Sequence, residues 1–162
     1  MTKLEPPNTH FLSAAEGWLE LGNPEEAEAE LRQLPAALRA HPEVLEMRWR
    51  IHAKTENWAG CVEVADELVT TAPKRPIGWI HRSYALHELN RTREALEALL
   101  PAQAKFPRNW LIHYNLACYC CRLKDIDRAR YFFDRACRLG EAKEVKAMAE
   151  KDEDLQGLWK KT

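Results

Sequence analysis

The densest chemistry in the sequence is the string Cys118-Tyr119-Cys120-Cys121. Thiolates are nucleophiles and metal ligands, so three thiols within one helical turn raise two chemistries, metal binding and redox exchange. A closed zinc cage needs four ligands in a tetrahedron. Cys118 and Cys121, three apart, share one face of a helix, while Cys120 points inward, and the string has no second half. His87 and Cys137 lie far off in sequence, with nothing to fix them beside it. The reading is therefore of thiols filling small spaces between helices, with a cysteine-based redox protein as the alternative. The remaining candidates are thinner. Six histidines are scattered without the His-Glu-x-x-His spacing of a zinc hydrolase, six glycines are isolated from one another, and neither Ser13 nor Ser83 stands in a nucleophile elbow. No catalytic residue, metal or cofactor is assigned, and an enzyme is not expected.

The elements that would position these groups follow from a spacing. Ala27, Cys61, Ala95 and Ala129 recur at intervals of 34 residues, each inside a segment that reads as an amphipathic helix after a polar turn. Four residues beyond each stand Leu31, Ala65, Leu99 and Phe133, and three further on Leu34, Leu68, Ala102 and Ala136. The i, i+4, i+7 pattern is one helical stripe, so the same face turns inward in every copy. The breaks before the small residues, such as Gly22-Asn23-Pro24 and Thr55-Glu56-Asn57, are the length of a helical hairpin turn. Four hairpins in tandem result.

This period, the small residues within it and a proline near the end of the unit resemble the tetratricopeptide repeat. Placing the four small residues at the twentieth position of the repeat gives units of about residues 8–41, 42–75, 76–109 and 110–143. Pro73 and Pro107 then follow the second helix, Trp79 matches the family's early tryptophan, and Leu116 with Ala117 matches its leucine and small residue. Arg48, Arg82 and Trp49 depart from the pattern. The resemblance implies an all-α superhelix of four helical hairpins with a capping helix, and a binding role without catalysis.

Along the chain, residues 1–8 offer little to bury and are expected to form a loose arm ahead of a repeat domain over 9–142. Thr9 is placed to cap a first helix that turns Phe11, Ala14, Ala15 and Trp18 to one side. Pro35 predicts an early end to the second helix and a restart near Ala36, and Pro101 predicts a bent or shortened sixth helix. Residues 143–162 read as a capping helix, with Val145, Met148 and Ala149 as its stripe, followed by a docked turn carrying acidic Asp152-Glu153-Asp154 and apolar Leu155, Leu158 and Trp159.

Composition narrows the partners. Of 162 residues 46% are hydrophobic and 30% charged, and 24 basic against 25 acidic residues leave a formal charge of -1, all interspersed. That balance sets up no long-range field for nucleic acid or anionic lipid. No apolar run approaches the roughly 20 residues of a membrane span, and the odd number of cysteines suits a reducing compartment. The expectation is a cytoplasmic protein of bacterial type that binds neither nucleic acid nor membrane.

In the resembled family the first helix of each hairpin lines the concave surface. Carried to this chain, that implies a protein or peptide partner held by Arg50, Lys54, Ile80, Tyr84, His87, Tyr114, Asn115, Cys118 and Arg122. A homo-oligomer built on the same face is the alternative, giving a self-associating structural repeat protein. Some members grip a terminal carboxylate with lysine, asparagine and arginine. Here Arg50, Lys54, Asn115 and Arg122 supply the types, but the clamp pattern is not matched residue by residue. Glu46 and Glu88 beside them are expected to disfavour an anion.

Overall fold

The protein was analysed as a computed structural model in which residues 4–159 are described. They hold nine α-helices and two short 3₁₀ segments. In order these are α1 (Asn8–Glu20), α2 (Pro24–Arg32), a 3₁₀ turn (Ala36–Leu38), α3 (Pro42–Lys54), α4 (Trp58–Thr71), α5 (Pro76–Glu88), α6 (Thr92–Lys105), α7 (Trp110–Arg122), α8 (Ile126–Leu139), α9 (Ala142–Ala149) and a closing 3₁₀ segment (Glu153–Leu158). The helices α1, α3, α5 and α7 begin at intervals of 34 residues.

The turns keep the same register. Gly22, Glu56, Asn90 and Lys124, again 34 apart, all take positive φ, of 78°, 53°, 61° and 65°. A left-handed residue there lets the chain reverse at once into the next helix, which suits glycine and, less well, asparagine. The following residue caps that helix: the side chains of Asn23, Asn57 and Asp125 accept from the backbone N–H of Glu26, Gly60 and Arg128. Arg91 breaks the series and caps nothing. Proline opens α2, α3 and α5, where the N–H it lacks would have gone unused.

The chain divides into two compact units, one ending at His81 and the next beginning at Arg82, with the boundary inside α5. In the first, α1 packs on α2 and α3 on α4, and α3 also meets α1 and α2. Its core includes Ala15, Ala27, Leu31, Leu34, Val44, Met47 and Ile51, and Leu4 is buried among them. The arm expected over residues 1–8 is thus tied down at Leu4, whose side chain is taken out of water by the core. Residues 1–3 of that arm lie outside the described residues. In the second unit α7 packs on both α6 and α8, α9 lies on α8, and the closing 3₁₀ segment rests on α7 and α8. Ala27, Cys61, Ala95 and Ala129 are all 0% exposed.

Local expectations fared unevenly. Pro35 ends the second helix as anticipated, by standing at the start of the 3₁₀ turn. Pro101 does not shorten α6, which has the same 14 residues as α4 and α8. Pro101 faces solvent, where water can take the carbonyl it leaves unpaired, while Ala95, Leu96, Leu99 and Ala102 hold the helix to its neighbours. Thr9 is not a cap, since α1 starts one residue earlier, after Pro7. Trp18 and Met148 are exposed, with Leu19 taking the buried place beside Ala15, and Val145 and Ala149 carrying α9.

Candidate functional site

The carried-over residues fall in both units. In the first, Ile80 is buried and offers no surface to a ligand. Arg50 is engaged, its Nη1 lying 2.8 Å from Glu16 Oε1. Both side chains are well exposed, so this pair contributes little. Lys54 lines a cavity of about 330 Å³ with Leu19, Glu20, Trp49, Arg50 and Ala53. Beneath it the Trp49 ring stacks on His81 at 3.8 Å between centroids, and burial pulls the His81 imidazole down to about 4.

The second unit brings the candidates together around a single object, the chain's own closing segment. Glu141 to Glu150 turn the chain through α9, and Asp152 then starts the 3₁₀ segment, its Oδ1 accepting from the Asp154 N–H at 2.9 Å. The other oxygen, Oδ2, accepts from the Tyr114 hydroxyl at 2.7 Å and from the Cys118 thiol at 3.6 Å. One turn on, Asp154 Oδ2 lies 2.8 Å from His87 Nε2 and Asp154 Oδ1 lies 3.4 Å from Arg122 Nε. His87 is oriented from behind, its Nδ1 3.0 Å from Thr92 Oγ1. Its ring also packs on Tyr119, whose hydroxyl donates to the buried Ser83 at 3.2 Å.

Apolar contacts complete the seat. Leu155 is 0% exposed and Leu158 is buried, while Trp159 meets Phe133 edge-on at 5.6 Å. Gly157 is needed where it stands: a Cβ there would lie 2.7 Å from Cys121 Sγ. The backbone N–H groups of Gly157 and Leu158 are directed at that sulfur. Tyr84 stands at the edge of the groove, 40% exposed. Burial, the Glu88 carboxylate it bonds and the two aspartates push its hydroxyl up to about 12. Asn115 is half-buried on α7 and takes no part in the cluster among the described residues.

The electrostatics are those of a carboxylate seat. The hydrogen bond from His87 holds the Asp154 carboxyl below its ordinary value, with the charges of His87 and Arg122 acting in the same direction against burial. Burial and the facing carboxylates drive the Tyr114 hydroxyl and the Cys118 thiol upward. Tyr114, His87 and Arg122 converge as donors, and Glu88 is itself taken up by Tyr84. Burial also raises Cys120, Cys121 and Cys137, and Cys61 to about 11. Thiols so shifted are thiols and not thiolates at neutral pH, the reverse of what nucleophilic cysteine chemistry requires. Among the described residues no group of three or more His, Cys, Asp or Glu is placed to hold a metal ion. No helix among them is long and apolar enough to cross a membrane.

The residues missed from the sequence are Asp152, Asp154, Thr92 and Gly157. The acidic triplet was legible as a helix-starting signal, which Asp152 is. Its second use, as cargo for His87, Tyr114 and Arg122, depends on where α9 delivers it.

The fold defined by these hairpins is that of tetratricopeptide-repeat proteins, all-α with a short capping helix. Among solved structures, the thermophilic tetratricopeptide-repeat protein TTC0263 of Thermus thermophilus is similar over 88% of this chain and 80% of its own, at 22% identity and a TM-score of 0.71. MamA (41-end) of Desulfovibrio magneticus RS-1 is similar over 97% of this chain and 92% of its own, at 17% identity and a TM-score of 0.72. YrrB, described as a tetratricopeptide-repeat protein with an unusual peptide-binding site, is similar over 91% of this chain and 80% of its own, at 12% identity and a TM-score of 0.63. At such identities the likeness is one of fold. No protein-family model and no curated protein matches the sequence.

Proposed function

We propose that the chain is a non-enzymatic scaffold that binds protein or peptide segments on the faces of its first helices. One observation carries the reading: His87 on α5 and Tyr114 and Arg122 on α7 already hold a short segment there by its two carboxylates. A surface that seats one peptide by side-chain donors and an apolar pocket has the ingredients to seat another. The likeness to YrrB, whose description names a peptide-binding site, points the same way. On this reading residues 9–142 are the repeat domain and 143–162 its cap and tail. The five free cysteines suit a reducing compartment such as the cytoplasm.

A second reading, self-association, is favoured by the exposed aromatics of the second unit. Tyr131 and Trp159 are both more than half exposed, and Trp159 borders a cavity of about 640 Å³ with Phe133, Leu158, Arg130 and Lys146. A photoreactive side chain placed at Tyr84, at the groove edge, and in a second variant at Tyr131 separates the two. The scaffold reading expects adducts with another protein from Tyr84 and not from Tyr131. Adducts with the chain itself, formed from Tyr131 alone, would replace it with self-association.

A further inference from the structure

Resting on the scaffold reading, we propose that the groove between α5 and α7 is a receptor for an acidic segment of the form Asp-x-Asp-Leu borne by a partner protein, and that Asp152-Glu153-Asp154-Leu155 fills it as a competing ligand from within the chain. Recognition of the Asp-x-Asp part is by side chains. Tyr114 takes the first carboxylate, His87 and Arg122 take the second, and Leu155 is enclosed beside them. None of these contacts uses the covalent link to α9, so the same three groups on a separate polypeptide satisfy the same partners. The geometry also sets the spacing: Asp152 reaches Tyr114 on α7, and Asp154, two positions on, reaches His87 on α5 and Arg122 on α7. Glu153, between them, is exposed and leaves its position open to any residue.

The tether makes the tail a strong competitor. A segment joined through a two-residue link, Glu150-Lys151, to the end of α9 acts at an effective concentration in the millimolar range. A partner segment of ordinary affinity is therefore excluded until the tail is weakened, and its apparent affinity falls in proportion to the fraction of grooves left open.

The test uses the full chain and a fluorescein-labelled peptide, Lys-Asp-Glu-Asp-Leu-Gln-Gly-Leu-Trp, followed by fluorescence anisotropy. In the full-length Asp152→Ala, Asp154→Ala variant the peptide is expected to bind at least tenfold more tightly than to the unaltered chain. Replacing both aspartates of the peptide by asparagine, or adding Arg122→Glu to the opened chain, is expected to weaken binding at least tenfold. Should the double variant lose its helical circular dichroism, Gly157→Ala opens the tail from its other end by the clash with Cys121 and takes its place. Equal binding to opened and unaltered chains overturns the proposal. So does equal binding of the acidic and the asparagine peptides to the opened groove, an outcome that leaves the scaffold reading standing. Binding of neither peptide overturns it as well, while the scaffold reading stands or falls on the crosslinking from Tyr84.

Discussion

Replacing Leu155 by alanine is the most informative single change, because Leu155 is the apolar anchor of a segment that is otherwise held by polar contacts. It is 0% exposed, and the closing 3₁₀ segment that carries it packs on α7 and α8. Three carbons at roughly 0.8 kcal/mol each give about 2.4 kcal/mol of lost transfer free energy, and truncations of this type that leave a cavity span about 2–5 kcal/mol. The tail can leave as a unit, which sets a ceiling. Ordering the backbone of Glu153–Leu158 costs about 1–2 kcal/mol per residue, so the burial of Leu155 and Leu158 and the carboxylate contacts are largely consumed in holding it. The net docking free energy is then about as large as the loss, and the variant spends much of its time with the tail released. Urea unfolding should show stability reduced by about 2–3 kcal/mol. Amide exchange should rise first at Leu155 and Trp159, whose N–H groups donate to Asp152 and Gln156, ahead of the amides of α7. Alkylation of Cys121, which lies under Gly157, should quicken relative to Cys137. A loss below about 0.5 kcal/mol, of the size of a surface substitution, with exchange in the tail unchanged, would refute the assignment of Leu155 as the anchor.

Three further outcomes test the rest. Gly17 lies within α1, and nothing stands within 4 Å of the place a Cβ would take there, so Gly17→Ala should raise stability by about 0.5–1 kcal/mol in thermal melts. Glu56 holds φ 53°; Glu56→Gly removes a strain of about 1–2 kcal/mol and restores about 0.5–1 of chain entropy to the unfolded state, for a net gain that the same melts detect, whereas Asn90→Gly should gain least. Asp154→Asn keeps an acceptor but loses the charge, and should cost about 1 kcal/mol at neutral pH. The folded state holds the Asp154 carboxyl below its ordinary value, so its contribution is complete above the ordinary carboxylate range. It is lost as pH falls through the lowered value. The difference between the two chains in urea titrations should therefore close as pH falls through the carboxylate range; a difference that grows in acid would contradict the His87 and Arg122 contacts.

The hairpins were legible because the same physical demand recurs four times. Each hairpin needs a small residue where its second helix crosses its first, and Ala27, Cys61, Ala95 and Ala129 meet it with no exposed surface. What was misread was local. Pro101 looked like a helix breaker on propensity alone, but a proline on the solvent face is tolerated when its neighbours on the stripe are buried. Leu4 looked like part of a loose arm because no periodic pattern surrounds it. A single leucine can be recruited by a core whose edge is open, and nothing in the residues beside it announces that.

The groove was half legible for a related reason. His87, Tyr114, Cys118 and Arg122 could be named together because the resemblance to the tetratricopeptide repeat assigns the first helices of successive units to one face. Their partners could not, because Asp152 reaches Tyr114 across 38 positions in sequence and Asp154 reaches His87 across 67. The two aspartates were read as helix-starting residues, and Asp152 does cap its own turn with one oxygen while giving the other to Tyr114. A carboxylate has two oxygens and room for about four hydrogen bonds, so a capping role leaves it free for a second partner. Acidic residues that cap a terminal turn in such a chain are therefore worth matching against the basic and hydroxyl residues of the last hairpins. Here that comparison pairs Asp152 and Asp154 with the very side chains a ligand would be expected to use, which is why the tail is a competitor for the groove and not only a lid on the final helix.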